Sequence, residues 1–296
     1  MGQDMHGLDQ VRTRALLDLM GDPSPTVWRE VRRELGALGK RVLPLLRRAA
    51  AGGDPQARAR ARGLLLRRGR ELATRRLCGY AHRGRIDLES ALWLLARLDE
   101  PGGDLRPYAL ALDAMAAEVA GRVESLPPGH GRGLALAEYL GDELGYSGAT
   151  SDYHHPRHIH LHHVIARKRG IPLTLVAIYL LVARRAGIQA SAVALPGHVV
   201  LRVFGPGKSV LLDPFDGGKV LQERDCLRYL AECGLSFHAR WLDDAGDSAL
   251  FERQMRNLCV GYRRRRLEHE LALIGRALTA LQSRPQPEPA GSMVSA

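Results

Sequence analysis

Cysteine is sparse in this chain, four in 296 residues, and Cys78, Cys226, Cys233 and Cys259 are scattered without CxxC spacing. A chain of this length has little need of disulfide staples, so all four are expected to be reduced, with Cys226 and Cys233, seven residues apart, read as small buried hydrophobes. Aromatic residues make up only 5%, which leaves few platforms for stacking single-stranded bases. Lysine is almost missing as well. Only Lys40, Lys168, Lys208 and Lys219 occur, so the net charge of +11 is carried by arginine, spread among Asp and Glu. Phosphate binding by counterion release needs clustered cations, and this distribution does not predict a nucleic-acid partner. There is no run of about 18 apolar residues, and Met1–Gln10 lacks the basic-then-apolar order of a secretory signal. A cytoplasmic protein without a membrane partner is expected.

What is present is a globular composition, 45% hydrophobic, ordinary for a chain with a real core. Residues 1–100 read as short amphipathic helices punctuated by Asp22-Pro23, Gly52-Gly53-Asp54-Pro55 and Pro101-Gly102-Gly103. Val27, Val31, Leu35 and Leu38 recur at helical spacing, followed by Val42, Leu45 and Leu46, and then by Ala57, Ala61, Leu64 and Leu65. This pattern resembles about one and a half HEAT-type helical repeats, too few to close a core alone.

Two further helices are predicted between 104 and 145, then a polar loop from Ser147 to Pro156. The histidine-dense stretch His154 to His163 follows, its later half read as a short helix. Residues 174–186 are apolar on nearly every side with Arg184-Arg185 and Gly187 at the end, the pattern of a buried helix with its stop. The period then changes to two. Segments 189–195, 198–204 and 209–212 read as strands of an antiparallel sheet, with Gly205-Pro206-Gly207 as a turn. Helices over 221–233, 248–262 and 267–282 complete the chain, and Ser283–Ala296, rich in Pro, Ser and Gly, is expected to be disordered.

Three motifs stand in order within this frame: Gly170-Ile171-Pro172-Leu173-Thr174, Leu195-Pro196-Gly197-His198, and Asp213-Pro214-Phe215 with Gly217-Gly218. Together they resemble the transglutaminase-like core of SirB-type bacterial proteins over roughly 100–235. Leu144-Gly145-Tyr146, Asp152-Tyr153 and 161–169 are similar to that family too, and the final two helices resemble its degenerate tetratricopeptide-like segment. The resemblance implies an α+β fold, mostly helical, with a buried helix on a small antiparallel sheet and flanking helical hairpins. The implied divisions are a HEAT-like region at 1–100, the core at 101–245, a helical pair at 246–282 and the tail at 283–296.

The resemblance also assigns roles. Catalysis on this fold needs a thiol at the start of a buried helix, where the dipole favours thiolate, a histidine to take its proton and an Asp to orient the imidazole. His198 falls on the histidine and Asp213 on the aspartate, while the cysteine position falls within Pro172–Thr174, where no thiol stands. Thr174 carries the only hydroxyl there, and a threonine hydroxyl sits many pK units above a thiol; it also suits backbone bonding in a first helical turn. Two readings follow. In the first, the protein binds a protein or peptide partner in the cleft around His198, with no cofactor and no covalent chemistry. In the second, it is a non-classical hydrolase in which His198 and Asp213 activate water or Thr174.

His154, His158 and His162 are four apart, a spacing that on one helix offers two imidazoles to one zinc. No adjacent Cys or helical Glu completes a ligand set, so a solvated histidine face is the expectation and these three are the metal candidates. Arg263–Arg266 lie between the last two helices and read as a solvated turn.

Overall fold

The computed structural model describes residues 11–236 and 238–283; the expected tail from 284 onward lies outside the described residues. The chain forms two compact units by packing. One holds the described residues up to Leu72 with Glu100–Gly102, the other Ala73–Asp99 with the described residues from Gly103. The division falls inside a long helix, Pro55–Ala81. Among the described residues, no helix is long and apolar enough to cross a membrane.

In the first unit, helices α1 (Pro25–Ala37) and α2 (Leu43–Ala49) precede the opening turns of α3 (Pro55–Ala81). Ser24 caps α1 by accepting from the Val27 amide, and Pro25 occupies the first helical position, where a missing N–H costs nothing. Asp54 accepts from the Gln56 amide at 2.9 Å and starts α3 in the same way. Met20, Val31, Leu35, Val42, Leu46 and Ala61 form this unit's core, the periodic apolar positions already visible in the sequence together with Met20.

The second unit is mostly helical with one small antiparallel sheet, an α+β arrangement. Its helices include α4 (Leu88–Asp99), α5 (Arg106–Val123), α6 (His130–Ala137) and α7 (Leu161–Arg167), of which α5 and α7 pack directly on α8 (Pro172–Arg185). Every residue of α8 from Pro172 to Ala183 is buried, which is why its sequence is apolar all round. Gly187, in a left-handed conformation at φ +70°, lets the chain turn out of that helix. Strands β3 (Ala190–Val193), β4 (Val200–Val203) and β5 (Val210–Asp213) pack on α8 or beside it as successive antiparallel neighbours.

The sheet is wider than the sequence pattern predicts. β6 (Lys219–Leu221) and β7 (Asp244–Ala245) extend it to the order β6-β5-β4-β3-β7, and β1 (Ser147–Gly148) pairs in parallel with β2 (Arg169–Gly170). Segments of two or three residues show no alternation to read, and their pairing comes from the neighbour they lie against. Helices α9 (Glu223–Glu232), α10 (Asp247–Arg264) and α11 (Glu268–Gln282) follow, α10 packing on α11, α4 and α8.

Candidate functional site

The C-terminal end of β5 and the turn entering β4 meet at one end of the sheet. The register Leu201–Leu212 places Val200 opposite Asp213, so His198, two residues before β4, overhangs the turn after β5. Its ring bridges that gap: His198 Nε2 and Asp213 Oδ2 stand 2.9 Å apart, with side chains only 15% and 13% exposed. The second carboxylate oxygen of Asp213 accepts from the Phe215 amide at 2.9 Å, and its backbone carbonyl accepts from the Gly218 amide at 2.8 Å. One carboxylate thus holds both the imidazole and its own turn, which limits the rotation of each.

Close backbone packing fixes that turn. After α6 the chain continues as a wider π-type turn, Glu138–Glu143, a local expansion often found at functional sites. Gly141 within it lies so near the turn after Asp213 that a Cβ there would come to 1.7 Å from the Gly217 carbonyl oxygen. Gly148 similarly leaves room only for the Phe215 ring, at 2.5 Å from the position of a Cβ. These glycines are needed for approach, not for flexibility.

The walls around His198 are aromatic and cationic. The Phe215 ring meets the imidazole edge-on at 6.0 Å, and the Tyr229 ring of α9 lies 5.4 Å from it. Tyr153 is tilted against Phe215 at 6.2 Å. Tyr229 donates to the Pro196 carbonyl at 3.2 Å, and its phenol is pushed up to about 12 by burial and by a hydrogen bond with the Cys233 thiol. From α10, Arg253 donates to the Leu195 and His198 carbonyls at 2.9 and 3.0 Å, clamping the Pro196-Gly197 turn; burial lowers its pKa. Burial also raises the Tyr153 phenol.

The start of α8 is differently made. Ile171 is the residue before the helix and Pro172, Leu173 and Thr174 form its first turn, all buried. Thr174 is 0% exposed. Its hydroxyl donates to the Ile159 carbonyl at 3.0 Å and accepts from Gln254 Nε2 at 2.9 Å. The hydroxyl therefore bonds across to α10 and the histidine segment, not to its own helix. Two turns further on, the Tyr179 phenol is raised by burial and by the charges of Asp142 and Asp213.

The transglutaminase-like superfamily pattern matches residues 106–256, about half of the chain. The chain belongs to that superfamily. A UPF0162 protein of Xylella fastidiosa is 32% identical over 140 residues, 47% of this chain and 50% of the relative. A UPF0162 protein of Pseudomonas aeruginosa is 28% identical over 175 residues, 57% of this chain and 62% of the relative. Human F-box only protein 21 is 31% identical over 100 residues, 31% of this chain and 16% of that protein. The chain spans about half the length of the first of these relatives, and no solved structure gives a significant match.

Of the residues singled out in the sequence, the superfamily fold brings His198 and Asp213 together and turns Thr174 into the interior. It does not gather His154, His158 and His162. Pro156–His158 forms a 3-10 turn and α7 begins only at Leu161, so four-residue spacing does not mean one helical face there. His154 lies edge-on to Tyr153 at 4.9 Å, His158 Nδ1 sits 3.2 Å from the Asp152 carbonyl, and His162 turns to Asp99 at 3.4 Å.

Tyr229, Arg253 and Gln254 were not foreseen. Gln254 did leave a signal: it falls on the stripe Leu250, Phe251, Met255 and Leu258, and an amide on an apolar helical face implies a buried partner. Arg253 and Tyr229 left none, since their role arises from the approach of separate elements. The cysteines are mixed: Cys226 is buried beside Val193, Leu195 and Val200, with burial raising its thiol, whereas Cys233 is exposed.

Proposed function

We propose that this chain is a SirB-type member of the superfamily whose His198 cleft binds a segment of a protein or peptide without covalent catalysis. The observation that carries the reading is the first turn of α8. It has no thiol, and its one hydroxyl, on Thr174, is fully buried with both hydrogen bonds spent inside the protein. A base and its orienting acid without a nucleophile cannot run acyl transfer in the manner of a cysteine enzyme. What remains is a recognition surface: an imidazole on a fixed carboxylate, flanked by Phe215, Tyr229 and Tyr153, aromatic side chains of the kind that carry interface energy. In the same reading the N-terminal helices are HEAT-like and the α10–α11 pair is a degenerate tetratricopeptide-like hairpin.

The His198–Asp213 pair itself favours a second reading. Asp213 engages Nε2, which leaves Nδ1 as the ring nitrogen to accept a proton from water attacking an amide or ester. Two assays separate them. A defined peptide array read by fluorescence anisotropy is expected to give saturable binders that wild type holds and His198→Ala loses, while ester, amide and amine-incorporation substrates are left unchanged. Turnover by wild type that disappears in both His198→Ala and Asp213→Asn establishes the hydrolase instead.

A further inference from the structure

A second constellation lies outside the His198 cleft. Asp99 is the last residue of α4, and three histidines around the start of α7 turn their rings toward its carboxylate. His163 Nε2 is 2.9 Å from Asp99 Oδ2, His162 Nε2 is 3.4 Å from the same oxygen, and His160 Nε2 is 3.9 Å from Oδ1. The ligating atoms of Asp99, His162 and His163 all lie within 4.8 Å of one another. His162 and His163 stand with ring centroids 4.1 Å apart and planes inclined by 34°. His160 is 2.9 Å from the Tyr262 hydroxyl through the same nitrogen that faces Asp99.

Two features single out this group. Three imidazoles from one four-residue stretch converge on a single, largely buried carboxylate. The spacing also has a meaning: ligand atoms about 2.0–2.2 Å from a tetrahedral zinc stand about 3.3–3.6 Å from each other. The two carboxylate–imidazole distances, 2.9 and 3.4 Å, lie within about 0.7 Å of that spacing, and the two imidazole nitrogens are within 4.8 Å of each other. The side chains of His160 and His162 are 0% exposed, whereas His163 and Asp99 are about one-fifth exposed. The group is thus anchored on its inner side and open to solvent on its outer side, which gives an ion a way in.

We propose that Asp99, His162 and His163 bind a divalent transition-metal ion of the zinc class, through the Asp99 carboxylate and the two Nε2 atoms. Two imidazoles and a carboxylate suit zinc and its first-row neighbours. His160, whose Nε2 pairs with the Tyr262 hydroxyl at 2.9 Å and faces Asp99 at 3.9 Å, lines the site as an outer residue and not as a ligand. The site is independent of how the His198 cleft is read.

The test uses the full chain, tag-free and never exposed to a metal column, dialysed against metal-free buffer. Elemental analysis is expected to find about one zinc per chain on reloading, and cobalt substitution to give the visible d–d bands of a low-coordinate site. In competition with a chromogenic chelator, Asp99→Asn and His163→Gln are expected to weaken zinc binding beyond the about 10–100-fold typical of losing an outer partner. His160→Ala is expected within that 10–100-fold range, and His154→Ala and His158→Ala to change nothing. Circular dichroism reports whether each variant folds. Should both ligand variants fail to fold, wild type alone decides: zinc must shield His163 from carbethoxylation. Substoichiometric, non-saturable zinc in wild type overturns the proposal, as does zinc lost in His158→Ala but held in His163→Gln, or His163 modified equally with and without zinc.

Discussion

Gln254 Nε2 donates to Thr174 Oγ1 at 2.9 Å, across 80 residues of chain and with neither side chain more than 1% exposed. The hydroxyl nearest in sequence to the expected nucleophile position is consumed as a structural strut between α8 and α10. Thr174→Val is therefore expected to lower the unfolding free energy by about 1–3 kcal/mol, the cost of leaving buried polar partners unmatched. On the proposed binding reading, peptide affinity at His198 should stay unchanged. Urea unfolding and anisotropy on the same preparation check both halves, and a folded variant with lost turnover would instead place Thr174 in the chemistry.

The two oxygens of Asp213 have separate tasks, one on His198 and one on the Phe215 amide. His198→Ala removes one hydrogen bond of Asp213 and the ring contacts with Phe215 and Tyr229 but spares the Phe215 amide bond, and should cost about 1–3 kcal/mol. Asp213→Ala removes the turn as well and should cost more, while Asp213→Asn, which still accepts from the amide, should fall between. Chemical denaturation of the three variants gives the order; equal losses would mean that the turn does not depend on the carboxylate.

Gly141→Ala is expected to be severe, at the upper end of or beyond the about 1–3 kcal/mol usual for overpacking, because the obstacle is the Gly217 carbonyl of the backbone, 1.7 Å from the added carbon. Since that backbone follows directly on Asp213, ligand affinity should fall with stability. A thermal melt close to wild type, with affinity intact, would show that the π-type turn can slide away.

Asp247 ties three helices together. Its carboxylate accepts from the Leu88 amide at 2.9 Å and from Arg184 at 3.0 and 2.6 Å. Burial works to raise its pKa, but the Arg184 and Leu88 hydrogen bonds prevail and hold it below the usual carboxylate range. A folded-state pKa below the unfolded one gives stability that is full above the unfolded value, about 4, and is lost as pH falls through the depressed value. Wild type should lose stability faster than Asp247→Asn on acidification below about pH 5, and the two should run parallel above it. Melting temperatures across pH 3–7 decide.

Much of this was legible along the chain. The buried α8 announced itself by being apolar on every side, the three central strands by their period of two, and the first unit's core by apolar residues three and four apart. Those signals are local, because a helix or strand that buries one face must write that face at its own period. Likewise, the thiol missing from Pro172–Thr174 is a matter of composition alone. Tertiary structure decided the rest. The π-type turn against Gly217, the two-residue strands, the Arg253 clamp and the turning of His162 to Asp99 instead of His158 depend on elements far apart in sequence. A side chain's partner there is set by which backbones approach, and no periodicity within one segment records that.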